Sequence, residues 1–383
     1  MNFPCLKNGI RFCVGVVVVA LLLYPAGLLR AQSAAEAAAL EREGKSSEAV
    51  TAWQGLLKKD PRNAAAWASL GLALARTQDY ANAVAAYKKA AVLNPKLPGL
   101  QLNWGLAEFK RDNLNGAIGP FRATLAADPK NQQARTLLGL SYYGTGKFAE
   151  AAQHLEIAAK ADPSNAELHR LLAQSCLNAK KFSCALDEFK WLLQQNPDSA
   201  AMHMLMGQAL DGVSRTPEAI AEFQAAAKAD PKVPNVNFGL GYLYWKTHQY
   251  EEAARAFDAE LAVDGGNAQA MAYLGDIELR NGNSGKALAL LQKATALNGN
   301  LRLALVDMGV ILTEQKKYAD ALVALQRAEK LDPAQPDVHY RLGRLYQALG
   351  KTAEKQKEMA RVKELHEKDE GDLARKMAGE KKE

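Results

Sequence analysis

The residues able to do chemistry are few, and their spacing argues against each familiar arrangement. Gly144-Thr145-Gly146-Lys147 has the glycines and lysine of a phosphate-cradling loop. Such a loop needs a glycine where Ser141 stands and a Ser or Thr where Phe148 stands. Gly239-Leu240-Gly241 lacks the third glycine of a dinucleotide fingerprint, and neither G-x-S-x-G nor H-E-x-x-H occurs. His169 and His203 lie 34 residues apart and, with Cys176, offer a nitrogen and sulfur donor set for a metal. The plainer reading is packing, since His169, His203 and His339 recur at one position of a repeat that otherwise prefers Trp. Cys176 and Cys184 are either a disulfide or two free thiols. Neither a catalytic residue, a metal, a cofactor nor a small-molecule substrate is expected.

What positions these residues must be helical. The chain has 383 residues and is 48% hydrophobic but only 7% aromatic; 70 of its residues are alanine. Alanine has the highest helix propensity and a small side chain, so this composition suits close-packed helices better than a large conventional core. The formal charge of +6 is modest and spread along the chain, which does not resemble a nucleic-acid footprint. Residues 1–31 read as a signal peptide: Lys7 and Arg11, a run without polar side chains from Val14 to Leu23, helix-breaking Pro25 and Gly27, and cleavage near Ala31. The alternative is an uncleaved N-terminal membrane anchor, since Phe12 to Leu29 spans a thin bilayer. Either way the remainder is exported, periplasmic or secreted, or held on the inner membrane facing the periplasm. Cleavage lowers the charge from +6 to +3 and removes Cys5 and Cys13.

The mature chain is periodic. Asp60-Pro61, Asn94-Pro95, Asp128-Pro129, Asp162-Pro163, Asn196-Pro197, Asp230-Pro231, Asp264-Gly265, Asn298-Gly299 and Asp332-Pro333 follow one another every 34 residues. Counting Ala64 as position 1, the first full unit carries Trp67, Leu70-Gly71, Tyr80, Ala83, Tyr87 and Pro95. Later units repeat a large residue and glycine at 7 and 8 (Leu138-Gly139, Leu240-Gly241, Leu274-Gly275). They also repeat alanine at 20 and Phe or Leu at 24 (Ala219 with Phe223, Ala253 with Phe257). Large residues at helical spacing with small ones between predict two closely approaching helices. Gly or Lys at position 15 marks the turn between them, and the boundary proline ends the second helix. Pro98, Pro234 and Pro336 are expected in the first turn of the following helix. Ser33 with Glu36 forms a capping-box pattern at the start.

This pattern resembles the tetratricopeptide repeat family: W-x2-L-G-x2-Y, A-x3-F and a terminal Pro. The resemblance covers nine units (64–97, 98–131, 132–165, 166–199, 200–233, 234–267, 268–301, 302–335, 336–369) and a degenerate one at 32–63 that keeps Gly44, Ala49, Trp53 and Pro61. A charged tail follows at 370–383, with Leu373 and Met377 as a thin apolar seam. The resemblance implies an all-α, right-handed superhelical solenoid of nine to ten antiparallel helix pairs. It also implies a protein-interaction scaffold whose concave face is lined by positions 2, 5, 9, 12 and 13 of each first helix. Carried onto this chain, those positions give Leu102, Leu106, Phe109, Leu140 and Tyr143, mostly apolar, then Arg170, Gln174, Met204 and Gln208, polar and adaptable. Phe238, Tyr242 and Trp245 follow as an aromatic cluster expected to be exposed as anchors, and then Asp276, Arg280, Glu314, Tyr340 and Arg344.

The carboxylate clamp of chaperone-binding members needs Lys and Asn at positions 5 and 9; Ala68, Leu72, Leu102 and Leu106 stand there. The asparagine ladder of glycosyltransferase-linked members reduces to Asn103. The groove is therefore expected to take an extended or helical protein segment with apolar side chains. An envelope assembly factor, for a pilus, an outer-membrane protein or polysaccharide export, is the alternative, and a non-catalytic subunit of an enzyme complex a further one. No nucleic acid is expected as partner, and a membrane only through the N-terminal segment. Pro120, inside a second helix, predicts a kink, and Gly265 and Gly299 mark the junctions where a hinge would sit.

Overall fold

The structure is a computed structural model. It describes residues 33–377, with side chains through Glu370, so the proposed signal or anchor segment, the side chains of Leu373 and Met377, and residues 378–383 lie outside it. Regular structure among the described residues is all helical, twenty α-helices without a strand. No helix among them is long and apolar enough to cross a membrane.

The chain divides into two compact units between Ala134 and Arg135. The first holds α1 (Ala34–Arg42), α2 (Ser46–Lys59), α3 (Ala64–Arg76), α4 (Tyr80–Leu93), α5 (Leu100–Lys110) and α6 (Leu114–Ala127). The division falls inside α7 (Gln132–Gly144). The second unit continues with α8 (Phe148–Ala161), α9 (Ala166–Asn178), α10 (Phe182–Gln195), α11 (Ala200–Gly212), α12 (Thr216–Ala229), α13 (Val236–Lys246) and α14 (Tyr250–Val263). It ends with α15 (Ala268–Arg280), α16 (Ser284–Leu297), α17 (Arg302–Glu314), α18 (Tyr318–Leu331), α19 (Pro336–Ala348) and α20 (Thr352–Met377). Within each unit the helices pack as sequential hairpins, each pair against the next.

The turn inside every hairpin is the same. Position 15 is left-handed in all ten: glycine at Gly44, Gly146, Gly282 and Gly350, but Gln78, Asp112, Lys180, Ser214, His248 and Lys316 elsewhere. In each, the next amide reaches back five residues, as Asp79 N does to Leu74 O at 3.0 Å and Lys317 N to Leu312 O at 2.8 Å. This is the Schellman closure, which satisfies carbonyls a helix end would otherwise leave open. The small residue at position 8 exists for close approach. A Cβ on Gly105 or Gly241 would fall 2.6 or 2.8 Å from the ring of Phe121 or Phe257, each fully buried at position 24. The first hairpin is complete despite its degenerate sequence: Ser33 and Glu36 form the capping box, and Ala49 and Trp53 are buried.

One expectation is corrected. Pro98 and Pro234 lie before their helices, not in the first turn; α5 and α13 begin two residues later, after left-handed Gly99 and Asn235, while Pro336 alone opens α19. Neither Gly265 nor Gly299 uses a left-handed conformation. The turn at Asp264-Gly265 closes with Asn267 N on Asp264 O at 3.1 Å, the bond Asn63 N makes to Asp60 O at the first proline boundary, so the glycine adds no distinct geometry there. Helix α6 runs on through buried Pro120 to Ala127, with Thr124 Oγ1 donating to the Pro120 carbonyl at 3.0 Å.

Candidate functional site

The twelve residues assigned to the groove all lie on first helices, spread over both units. In the first unit, Leu102, Leu106 and Phe109 are half-buried on α5. Leu102 lines a cleft of about 710 Å3 with Leu97, Gln101 and Asn131.

In the second unit, Leu140 and Tyr143 on α7 are half-buried. Tyr143 OH donates to Gln174 Oε1 at 2.8 Å, and Arg170 Nη1 donates to the same oxygen at 3.1 Å. Arg170 also clasps Glu167 of its own helix through Nε at 2.8 Å and Nη2 at 2.5 Å. That hydrogen-bonded pairing holds the Glu167 carboxyl below, and the Arg170 guanidinium above, their ordinary values. Arg170 and Gln174 of the polar middle are therefore already hydrogen-bonded.

Met204 and Gln208 of α11 and Phe238 and Tyr242 of α13 line one cleft of about 440 Å3, with Asp211, Asn235 and Leu243. Gln208 is exposed, the other three assigned residues half-buried. Lys246 Nζ on Asp211 Oδ1 at 2.7 Å joins the two helices, and that bond raises the lysine's pKa.

The three aromatic anchors are half-buried rather than exposed. Tyr273, at position 6 of the next unit, gathers them: its ring centroid lies 6.0 Å from Phe238, 5.8 Å from Tyr242 and 5.0 Å from Trp245. Burial, then Tyr242 and Asp276, push its phenol up. Trp245 does not line the cleft. Its Nε1 donates to Asp276 Oδ2 at 2.6 Å, the bond Tyr143 makes to Gln174 three registers earlier. An aromatic donor at position 12 thus binds position 9 of the following unit in both places.

Helix α13 is set by a residue the repeat pattern gives no reason to expect. Glu260 stands at position 27, where small residues are favoured, and is fully buried. Its Oε1 accepts from Asn235 N at 3.0 Å and Asn267 Nδ2 at 3.1 Å, and its Oε2 from Phe238 N at 3.1 Å. A carboxylate thus takes the open amides at the start of a helix that has lost its side-chain cap. Farther along, Asp276 (4% exposed) also accepts from Arg280 Nε at 2.7 Å. Asp307, on α17 and 8% exposed, has an Oδ2 without a hydrogen-bond partner in the protein. Burial first, then Asp276, pushes its pKa up to about 8, against the pull of Arg280 and Arg341.

The histidines are neither a shared metal pair nor plain packing. Each is a donor at position 4: Trp67, Gln101, His169, His203, Asn237 and His339 all give a side-chain N–H to the boundary-proline carbonyl six residues back, at 2.8–3.4 Å. Where glycine replaces that proline, position 4 is Met271 or Leu305, which has no donor, and the Gly299 carbonyl accepts from Arg327 instead. His169 Nδ1 faces Glu188 and His203 Nδ1 faces Glu222. Cys176 is unavailable to a metal because it is bonded to Cys184 in a disulfide joining α9 to α10 (Cα–Cα 5.9 Å). The α9–α10 hairpin is thus crosslinked.

Patterns described as tetratricopeptide repeat match residues 34–98, 102–166 and 238–300, and another of the same description matches 142–209; one described as TPR repeat matches 309–350. No curated protein matches the chain. Among solved structures, a tetratricopeptide repeat protein from Parabacteroides merdae is 18% identical, covering 66% of this chain and 97% of its own, with a TM-score of 0.48. YrrB, described as a TPR protein with an unusual peptide-binding site, is 22% identical over 46% of this chain and 91% of its own, with a TM-score of 0.39. MamA from Desulfovibrio magneticus RS-1 is 18% identical over 44% of this chain and 95% of its own, with a TM-score of 0.40.

Proposed function

Because the chain belongs to the tetratricopeptide repeat family, we propose that it is an exported, non-enzymatic scaffold holding a segment of a partner protein against the first helices of its pairs. The observation that carries this reading is the cleft between α11 and α13. Met204, Phe238 and Tyr242 offer it apolar surface, and exposed Gln208 offers an amide at its edge. Such a surface suits one large apolar side chain of a bound peptide, with Gln208 hydrogen-bonding the peptide backbone. The bonded Cys176–Cys184 pair and the apolar run Val14–Leu23 support an oxidising, exported location.

Selection of displayed peptides on the purified chain tests the site. Enriched sequences should carry a large apolar residue, and Met204→Glu should weaken them about tenfold or more, a charged group being costly to bury there, with helical circular dichroism unchanged. Binding indifferent to Met204→Glu would remove the cleft from the function, and a selection that yields no binder would remove peptide binding altogether. Export is tested separately, by the N-terminus of the chain recovered from a bacterial periplasm: it should begin just after Ala31, and an intact Met1 would leave the anchor reading.

A further inference from the structure

The three position-4 histidines share one geometry. Nε2 donates to the proline carbonyl six residues back, and Nδ1 faces a glutamate nineteen residues on: His169 with Glu188, His203 with Glu222, His339 with Glu358. His339 differs in what stands ten residues before it. Ala159 and Leu193 occupy that place for the first two, and Glu329 for the third. Among the described residues, Glu329, His339 and Glu358 form a group of three metal-ligating side chains whose donor atoms all lie within 4.8 Å of one another.

His339 is 4% exposed, and its Nε2–H is committed to Pro333 O at 3.0 Å. That bond fixes the tautomer and leaves the Nδ1 lone pair directed at Glu358 Oε2, 2.7 Å away, with the Glu329 carboxylate beside both. Among the described residues neither glutamate is paired with a lysine or arginine. In the two-membered sites one nitrogen faces one carboxylate. Three converging acceptors call for a larger positive charge.

We propose that Glu329, His339 and Glu358 bind a divalent transition-metal ion of the Zn2+ class. Imidazole nitrogen and carboxylate oxygen are both donors that such ions accept, and the Nε2–carbonyl bond supplies the outer support their histidine ligands use. Metal–donor distances of about 2.0–2.2 Å place tetrahedral donors roughly 3.3 Å apart, so Nδ1 and Oε2 open slightly while Glu329 swings in. The three ligands come from α18, α19 and α20, and the ion ties the long final helix to the two before it.

The test uses the full chain without a histidine tag, with Zn2+ as probe in equilibrium dialysis and Co2+ as spectroscopic reporter. One Zn2+ per chain is expected, with a rise in melting temperature and visible Co2+ absorption bands. His339→Gln keeps the donor to Pro333, as Gln101 does to Pro95, and removes the ligand nitrogen. It and Glu329→Gln should each weaken binding at least about tenfold, while Glu188→Gln, in a two-membered site, leaves it unchanged. If His339→Gln loses helicity, Glu329→Gln alone carries the result. Zn2+ uptake equal in the wild type and in the His339→Gln/Glu329→Gln double variant overturns the proposal, as does an equal loss from Glu188→Gln.

Discussion

Two buried carboxylates, Glu260 on α14 and Asp307 on α17, interrupt positions where the repeat has no use for charge, and they have opposite consequences. Glu260 is fully buried and takes three donors, two of them the amides that open α13. Asp307 is almost as deep, but its Oδ2 finds no donor and its carboxyl neighbour Asp276 lies close enough to oppose its ionisation. The desolvation cost is common to both; what differs is whether the surroundings were built to receive the charge. Burial of a polar group therefore says little about stability until its partners are counted. The same holds for the candidate cleft, because Glu260 sets the start of the helix that carries Phe238 and Tyr242.

The largest expected effect is at Asp307. Its folded-state pKa is raised, so the native state keeps a proton that the unfolded chain releases above about pH 4. Stability from this group is whole below the unfolded value and falls as pH rises from about 4 to about 8. The cumulative loss is on the order of 5 kcal/mol at pH 9. Asp307→Asn should abolish that slope and leave the variant more stable than the wild type at pH 9, with little difference at pH 4. Repeats unfold locally, so the readout is hydrogen exchange of α17 amides at the two pH values rather than one global transition. Parallel slopes for both proteins would mean that Asp307 is solvated and the contrast with Glu260 is false.

Removing Glu260 should act in the other direction. Glu260→Ala strands Asn235 N, Phe238 N and Asn267 Nδ2, a cost of about 3 kcal/mol, seen as faster exchange in the first turn of α13. Trp245→Phe is a smaller version of the same event. Asp276 keeps Arg280 but loses the indole donor, and about 2 kcal/mol is expected from a hydrogen bond to a charged acceptor. A Glu260→Ala protein as stable as the wild type would show that burial alone, and not the donor count, distinguishes the two carboxylates.

The architecture was legible because it is periodic. The 34-residue register, the position-8 glycines against position-24 rings and the Ser33–Glu36 box follow from spacing, and the hairpins appear where the spacing puts them. The features that distinguish one unit from another were not legible, because they depend on pairs at other separations. Trp245 meets Asp276 at 31 residues, Glu260 meets Phe238 at 22, and His339 meets Glu358 at 19. Pro98 and Pro234 read as helix starters, yet each sits beside a left-handed residue that delays its helix. The aromatic triad reads as exposed because Tyr273, which packs against it, stands at a position outside the groove pattern. Asp276 reads as a groove residue and proves buried; Asp307, one unit on, stands at position 6, outside the groove pattern.

The smallest test moves the comparison from side chains to backbone. Gly282 and Lys316 close successive hairpins with the same left-handed turn, at φ 79° and 59°. A Cβ in that conformation crowds the following carbonyl, a strain glycine avoids, whereas glycine loses more chain entropy on folding. At a position already left-handed the first effect outweighs the second. Lys316→Gly should therefore stabilise the α17–α18 hairpin by about 1 kcal/mol, and Gly282→Ala should destabilise the α15–α16 hairpin by a similar amount. Nothing else packs at either site to confuse the result: a Cβ at Gly282 meets no atom within 4 Å, and Lys316 is exposed. Both changes read as shifts in the exchange protection of their own hairpins. Opposite signs would establish that a repeat position imposes its conformation on whatever residue occupies it, at a cost set by that residue, which is the relation Glu260 and Asp307 display for buried charge. Equal signs would confine that relation to the carboxylates.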